Sequence, residues 1–277
     1  MASIKSPIRS FLKPLLFKLI GKKGYFLMQY VAKKKDIEQQ LVEEPEMVLL
    51  PVFITPESNV IDIGANYAYF THRFANICTK GHVYAFEPIP FTYNVAKKII
   101  ESCRFKNVRI YQLGVGNENI QTVFEVPLQS FGAYSAGQAH LSGRDNELNG
   151  KEQHYKFSSH EKVNCKIIRL DDFKDIDKPI DFIKIDIEGA ELFALKGMKD
   201  LLIKSKPVIL LEINPFFLEG FKIKESELKE FIKGLDYSTF IYNMLTKKLE
   251  NYTSDYIESN YILIPASKLS KYQGLIA

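Results

Sequence analysis

The chain has 277 residues, 46% of them hydrophobic and 25% charged, which suits one large α/β domain with an accessory segment. Its three dispersed cysteines, Cys78, Cys103 and Cys165, fit neither a disulfide framework nor a zinc site, and with no legible signal peptide and no apolar run of roughly 18 residues they point to a reduced, cytoplasmic protein. The net charge of +4 hides an asymmetry: residues 5–35 carry nine basic side chains and no acid, which leaves −5 for the remainder, and a mildly acidic body argues against nucleic acid as partner.

Residues 1–57 form an N-terminal arm in which those basic residues alternate with Ile8, Phe11, Leu12, Leu15, Leu16, Phe17, Leu19 and Ile20. Pro14 restricts the helix here to a short one over Leu15–Ile20 or to a kinked one. A basic amphipathic helix can lie on an anionic membrane, giving peripheral contact at the inner membrane face through residues 5–35. The alternative is a helix packed on the domain with its lysines in water. A second helix is expected over Ile37–Leu50, ahead of Pro51.

From Asn59 onward short apolar strands alternate with helices, the mark of a mostly parallel sheet. Strands are expected at Asn59–Ile63, His82–Phe86 and Val108–Leu113, with helices at Tyr67–Cys78 and Phe91–Cys103. The rhythm then fails over residues 114–160, an irregular insert with one strand-like run, Thr122–Val126. Structureless stretches of this length in a compact domain are usually functional or disordered. Strands resume at Val163–Leu170, Ile180–Ile187 and Pro207–Ile213, with helices at Ala190–Leu202 and Glu225–Leu235. Ser238–Asn243 and Tyr261–Ile264 can form a terminal antiparallel pair. The expected architecture is a doubly wound α/β domain over residues 58–277, with a mostly parallel seven-stranded sheet.

Two segments carry chemistry. In KIDIEGAEL, Lys184–Leu192, the carboxylates Asp186 and Glu188 alternate with Ile183, Ile185 and Ile187 at the carboxyl end of an expected central strand. Open α/β sheets bind ligands there, and a buried parallel strand has no packing use for acids. Glu188 has a second reading, as a cap on the following helix. In VIDIGANYAYF, Val60–Phe70, a single glycine, Gly64, stands between first strand and first helix, with Ala65 and Ala68 at the other small positions. A dinucleotide fingerprint needs more glycines, and Asp62 just before the turn would repel a pyrophosphate. A cationic ligand without phosphate suits it better, and S-adenosylmethionine is one. Glu87, 25 positions after Asp62, ends the second strand and can accept hydrogen bonds from ribose hydroxyls.

IDIGANYAYF, GHVYAFEPIP, LDDF, IDFIKIDIEGAEL and KPVILLEIN, taken in order over roughly residues 59–214, resemble the hallmark segments of the FkbM family of S-adenosylmethionine-dependent methyltransferases. KIDIEGAEL is the most specific of them. The resemblance implies a class I, Rossmann-like methyltransferase fold with S-adenosyl-L-methionine as cofactor. Asp62, Gly64 and Asn66, with Ala65, would line its methionine end, and Glu87 beside Pro88 would hold the ribose. The residues after the third strand, Gly114 to Gly116, Val115 and Gly116 among them, would flank the adenine. The family usually has glycine where this chain has Ala68, and an alanine is tolerated there if its φ is negative.

The same resemblance implies O-methyl transfer to a hydroxyl of a glycan, lipid-linked saccharide or secondary metabolite. Asp186, Glu188 and Glu212 are the carboxylates at or near strand ends facing the same crevice, with Asp186 the first candidate to contact the acceptor or the sulfonium region and Glu212 the second. Oxygen ligation of Mg²⁺ by Asp186, Glu188, Glu212 and Asn214 is a weaker reading, and no metal is expected. A nicotinamide-dependent oxidoreductase is opposed by the missing glycines and by Asp62. A non-catalytic member of the family has only Ala68 in its favour. Lys184 can orient an anionic group or pair with Asp186. His72 reads as a surface or packing residue. His140, His154 and His160, and the aromatic residues Phe131, Tyr134 and Tyr155, lie in the insert, where acceptor specificity is expected together with PFFLEGF after Asn214.

Overall fold

A computed structural model describes residues 7–42, 44–128, 139–144 and 159–277, with backbone only for residues 7–20. His154, Phe131, Tyr134 and Tyr155 lie outside the described residues. The chain enters through α1 (Pro7–Glu38), which runs through Pro14 and breaks instead at Gly21, where φ is 62° and ψ −174°. The helix expected over 37–50 does not form. Gln40 takes a left-handed φ of 53° just past the end of α1, and Pro45 holds Glu44 extended. A 3₁₀ turn (Pro45–Leu49) and the short α2 (Leu50–Phe53) follow.

The main unit is β1 (Asn59–Ile63), α3 (Tyr69–Ile77), β2 (His82–Phe86), α4 (Pro90–Ser102) and β3 (Val108–Tyr111). The chain then leaves the sheet for β4 (Gly114–Val115), β5 (Ile120–Leu128), β6 (His140–Leu141) and β7 (Ser159–Ile168). It returns through β8 (Phe182–Ile185), α5 (Glu191–Gly197), α6 (Lys199–Ser205) and β9 (Val208–Ile213). After α7 (Pro215–Gly220) and α8 (Glu225–Gly234) come β10 (Tyr237–Asn243), β11 (Lys248–Asn251) and β12 (Ser259–Pro265).

The main sheet has eight strands, not seven, in the order β11-β10-β12-β9-β8-β1-β2-β3. Its β3-to-β9 part is parallel, and β12, β10 and β11 extend it antiparallel. The added strand is β11, whose KLEN sequence has no apolar alternation to betray it. Both faces are apolar. Ile61, Ile63, Ile183, Ile185, Ile209 and Leu211 pack with Leu192, Leu195, Leu202 and Leu228 of α5, α6 and α8. Val60, Phe182, Val208 and Leu210 pack on the other side with Phe70 and Phe74 of α3 and with Leu50, Phe53 and Ile54. This doubly covered parallel core is the α/β architecture expected from the alternating pattern.

The expected irregular insert is in part a second sheet, of order β4-β7-β5-β6. β5 and β7 run antiparallel over nine residue pairs, from Ile120↔Ile167 to Leu128↔Ser159. Val163–Leu170 therefore belongs to this sheet and not to the main one. The single helix expected over 190–202 is two, broken at Met198 (φ −126°). There Gly197 passes so close to Gly116 that a Cβ would sit 1.8 Å from its carbonyl oxygen.

Candidate active site

A cleft of about 230 Å³ opens at the carboxyl ends of β1, β2, β8 and β9, under the β5–β6 edge of the second sheet. Gly64, Asn66, Glu87 and Pro88 line one side, Asp186, Ile187, Glu188 and Glu212 another, and Ile89, Phe124 and Ala139 close it. The turn after β1 needs its glycine twice over. Gly64 has φ +83°, and a Cβ there would meet the Asp186 carbonyl oxygen at 1.8 Å. The Gly64 and Ala65 N–H groups donate to Phe86 O, both at 3.0 Å, tying this turn to the end of β2.

Two further residues of the turn are left-handed, Asn66 (φ 48°) and Ala68 (φ 68°). Asn adopts this region readily, but a residue with a plain Cβ does so at a cost. The condition for an unstrained alanine at position 68, a negative φ, is therefore not met. The Ala68 methyl is fully buried against Ala96 and Ile100.

Parallel register sets Asp62 of β1 beside Lys184 of β8, on the face covered by α3. Asp62 is fully buried, and Thr71 of α3 donates to its Oδ2 at 2.5 Å. It lies behind the Gly64 turn and not on the cleft surface. Lys184 Nζ donates to Asp186 Oδ2 at 2.8 Å and stands 4.6 Å from the centre of the Phe70 ring. Burial opposes the lysine charge, but Asp186, Asp62 and Glu44 outweigh it and push its pKa up. Burial raises Asp62 as well, with Lys184 acting against it. Of the two roles expected for Lys184, pairing with Asp186 is the one the geometry realises.

The remaining acids hold protons more tightly than ordinary carboxyls. Burial lifts Glu188 to about 9, with Asp186 adding to it. Burial and the Asp186 charge raise Glu212. Glu87 is pushed up to about 7 by burial, although Asn66 N–H donates to its Oε2 at 3.0 Å and Ile89 N–H to its Oε1 at 2.9 Å. Glu188 has a left-handed φ of 56°, and its carbonyl accepts from Arg144 Nη1 at 3.0 Å.

Glu188 does not cap α5. The helix has no side-chain cap; the buried Glu191 Oε1 instead accepts from Gly189 N–H at 3.0 Å and Ile187 N–H at 3.4 Å, bracing the turn that leads into it. Asn214 lies at the start of α7, where its Oδ1 accepts from Phe216 N–H at 3.0 Å. Among the described residues no group of three His, Cys, Asp or Glu side chains has the arrangement of a metal site. Val115 and Gly116 sit in and just after β4, and Gly116 N–H donates to Ile168 O. Neither lines the cleft, whereas Gly114, the first of the three residues expected at the adenine, packs beside Pro88 and Phe124. His72 is half-buried on α3 against Phe105, and His140 is buried in β6 with the His160 ring 6.3 Å away.

Residues 62–244 match the sequence model of the family described as "Methyltransferase FkbM domain". The chain belongs to the FkbM methyltransferase family. Two curated relatives share 27% identity with it: "Methyltransferase 1" of Beauveria bassiana (strain ARSEF 2860), over 52% of this chain and 59% of that protein, and "Methyltransferase sdnD" of Sordaria araneosa, over 51% and 60%. The match thus spans about 60% of the length of each of these relatives. A solved FkbM methyltransferase from Methylobacillus flagellatus KT overlaps with TM-score 0.47 and 14% identity, covering 76% of this chain and 44% of that one.

This FkbM domain also uses residues that sequence reasoning passed over. Glu44 comes from the arm, near enough for Lys184 and Asp186 to act on its carboxyl, and it accepts from Asn260 Nδ2 at 3.0 Å. Nothing in its local sequence signals that approach. Glu191 did carry a signal, as an acid in the first turn of a helix inside KIDIEGAEL. Arg144 emerges from the insert to stand 4.3 Å from the centre of the Phe217 ring, a contact that no spacing reveals.

Proposed function

We propose that the cleft binds S-adenosyl-L-methionine and that the protein methylates a hydroxyl of a small-molecule or saccharide acceptor. The observation that carries this reading is the make-up of the lining: four carboxyl side chains, Glu87, Asp186, Glu188 and Glu212, which a cation draws towards their ionised form, with no lysine or arginine among the described lining residues. Such a wall suits an ammonium and a sulfonium and disfavours the pyrophosphate of a nicotinamide cofactor. Asn66 Oδ1, buried and without a partner, is a further acceptor awaiting a donor. Gly64, Asn66 and Glu87 would hold the cofactor on one side and Asp186 on the other. When bound, S-adenosylmethionine supplies a methyl group on a positively charged sulfur.

The protein's part is alignment and proton handling. Asp186, fixed by Lys184, is the group to receive the acceptor hydroxyl proton as the oxygen–methyl bond forms. In the ligand-free cleft Glu212 and Glu188 hold protons at neutral pH and can donate hydrogen bonds to Asp186. The second sheet, through Phe124 and Ala139, keeps the cleft covered.

Titration calorimetry with S-adenosylhomocysteine tests the reading. Binding in the micromolar range, abolished by Glu87→Ala, supports it. An absence of binding by the wild-type protein would overturn it, and binding of NAD instead would favour an oxidoreductase. Asp186→Asn should lower turnover about a hundredfold, a typical contribution of a general base, and by far more than it weakens cofactor binding, to which Gly64, Asn66 and Glu87 still contribute.

A further inference from the structure

The methyl-transfer reading leaves α1 without a role. One side of its C-terminal half is committed to the domain. Tyr25 stacks on Phe91 with ring centres 5.6 Å apart, Ile37 is buried with Tyr67, Val95 and Ile99, and Lys33 lies over the Tyr67 ring. Leu27 and Val31, one turn apart, are instead 53% and 56% exposed, with Lys23 and Lys35 exposed near them.

The N-terminal half, residues 7–20, is helical too. In its sequence Ile8, Phe11, Leu12, Leu15, Leu16 and Leu19 recur at the spacing of one helical stripe, with Phe17 and Ile20 off it, while Arg9, Lys13 and Lys18 fall between them. The break between the halves is conformational. Gly21 takes φ +62° where a Cβ would meet nothing within 4 Å, so the glycine sets a change of direction and not a close contact.

Among the described residues no helix is long and apolar enough to cross a membrane. A helix with an apolar stripe and basic flanks lies along a lipid surface instead. Nine basic residues and no acid between positions 5 and 35 select anionic headgroups, which attract lysines near the surface. We propose that α1 docks the protein on an anionic bilayer, through its N-terminal stripe together with Leu27 and Val31, while its Tyr25–Ile37 side holds the domain.

The test uses the full-length protein with vesicles of phosphatidylcholine alone and of phosphatidylcholine mixed with phosphatidylglycerol. Sedimentation with the mixed vesicles only, weakened by added salt, is the expected result. Lys13→Gln and Lys18→Gln should each weaken partitioning about fivefold. Leu12→Glu with Leu15→Glu should abolish it without lowering the thermal midpoint of the domain. No sedimentation with the mixed vesicles would overturn the proposal, as would binding indifferent to these substitutions. A lipid-independent dimer that Leu15→Glu dissociates, in a protein that ignores vesicles, would assign the stripe to a second copy and equally overturn it.

Discussion

Lys184 holds its charge inside a cluster of Asp62, Asp186 and Glu44, with its side chain 3% exposed. Removing one partner of a buried pair strands the other's charge, at about 3–5 kcal/mol. Lys184→Met should therefore destabilise the fold by about 3 kcal/mol in urea unfolding at neutral pH. Adding Asp186→Asn should recover part of that loss, because the pair is then removed together. The lysine's raised pKa places its contribution below the ordinary lysine range and up to its folded value, so this effect is flat through neutral pH. Ala68 makes the opposite case. Its φ of 68° costs a residue with a Cβ about 1–2 kcal/mol, and the buried methyl returns about 0.8 kcal/mol. Ala68→Gly should raise stability by about 0.5 kcal/mol, read as a higher thermal midpoint. A clear fall would mean that the methyl's packing outweighs the strain.

At the scale of elements, the turn joining β8 to α5 hangs on Glu191. Its Oε1 collects the Gly189 and Ile187 N–H groups and so fixes the backbone that carries Asp186 and Glu188 to the cleft. Glu191→Ala orphans buried donors and should cost about 1–3 kcal/mol, with a matching loss of cofactor affinity in calorimetry. Glu191→Gln, which keeps an acceptor oxygen, should retain most of both. How legible such elements are in sequence follows from what shapes them. The strands β1, β2, β8 and β9 are apolar runs bounded by turn residues, and a buried strand of this kind declares itself by composition. The carboxylates at their ends were legible for the same reason, as acids where packing has no use for them. β11 and β6 were not, because they are short and held by pairing with neighbours. Glu44 and Arg144 reach the site through tertiary contacts that leave no local pattern. The left-handed φ of Glu188 and Ala68 was not legible, because residue identity alone does not fix φ outside glycine and proline.

For the molecule as a whole, the carboxyls around the cleft give stability an unusual pH dependence. Burial lifts Glu87 and Glu191 to about 7 and Glu188 to about 9, and it raises Glu212 too. In the unfolded chain the same groups release their protons near 4.5. Between those values the folded state binds more protons than the unfolded one, so stability falls as pH rises. The ligand-free protein should accordingly have its highest thermal midpoint in mildly acidic solution, declining steadily through pH 7 towards 9 in calorimetric scans. Glu188→Gln removes the group that ionises last and should flatten the upper part of that decline. A cationic ligand in the cleft acts in the reverse sense, since it favours the ionised carboxyls that the empty site resists. The midpoint increase on adding S-adenosylmethionine should thus grow between pH 6 and pH 9. A midpoint that rises over that range without ligand would show the carboxyls already ionised at neutral pH, and Asp186 would lose the protonated neighbours on which its proposed setting depends.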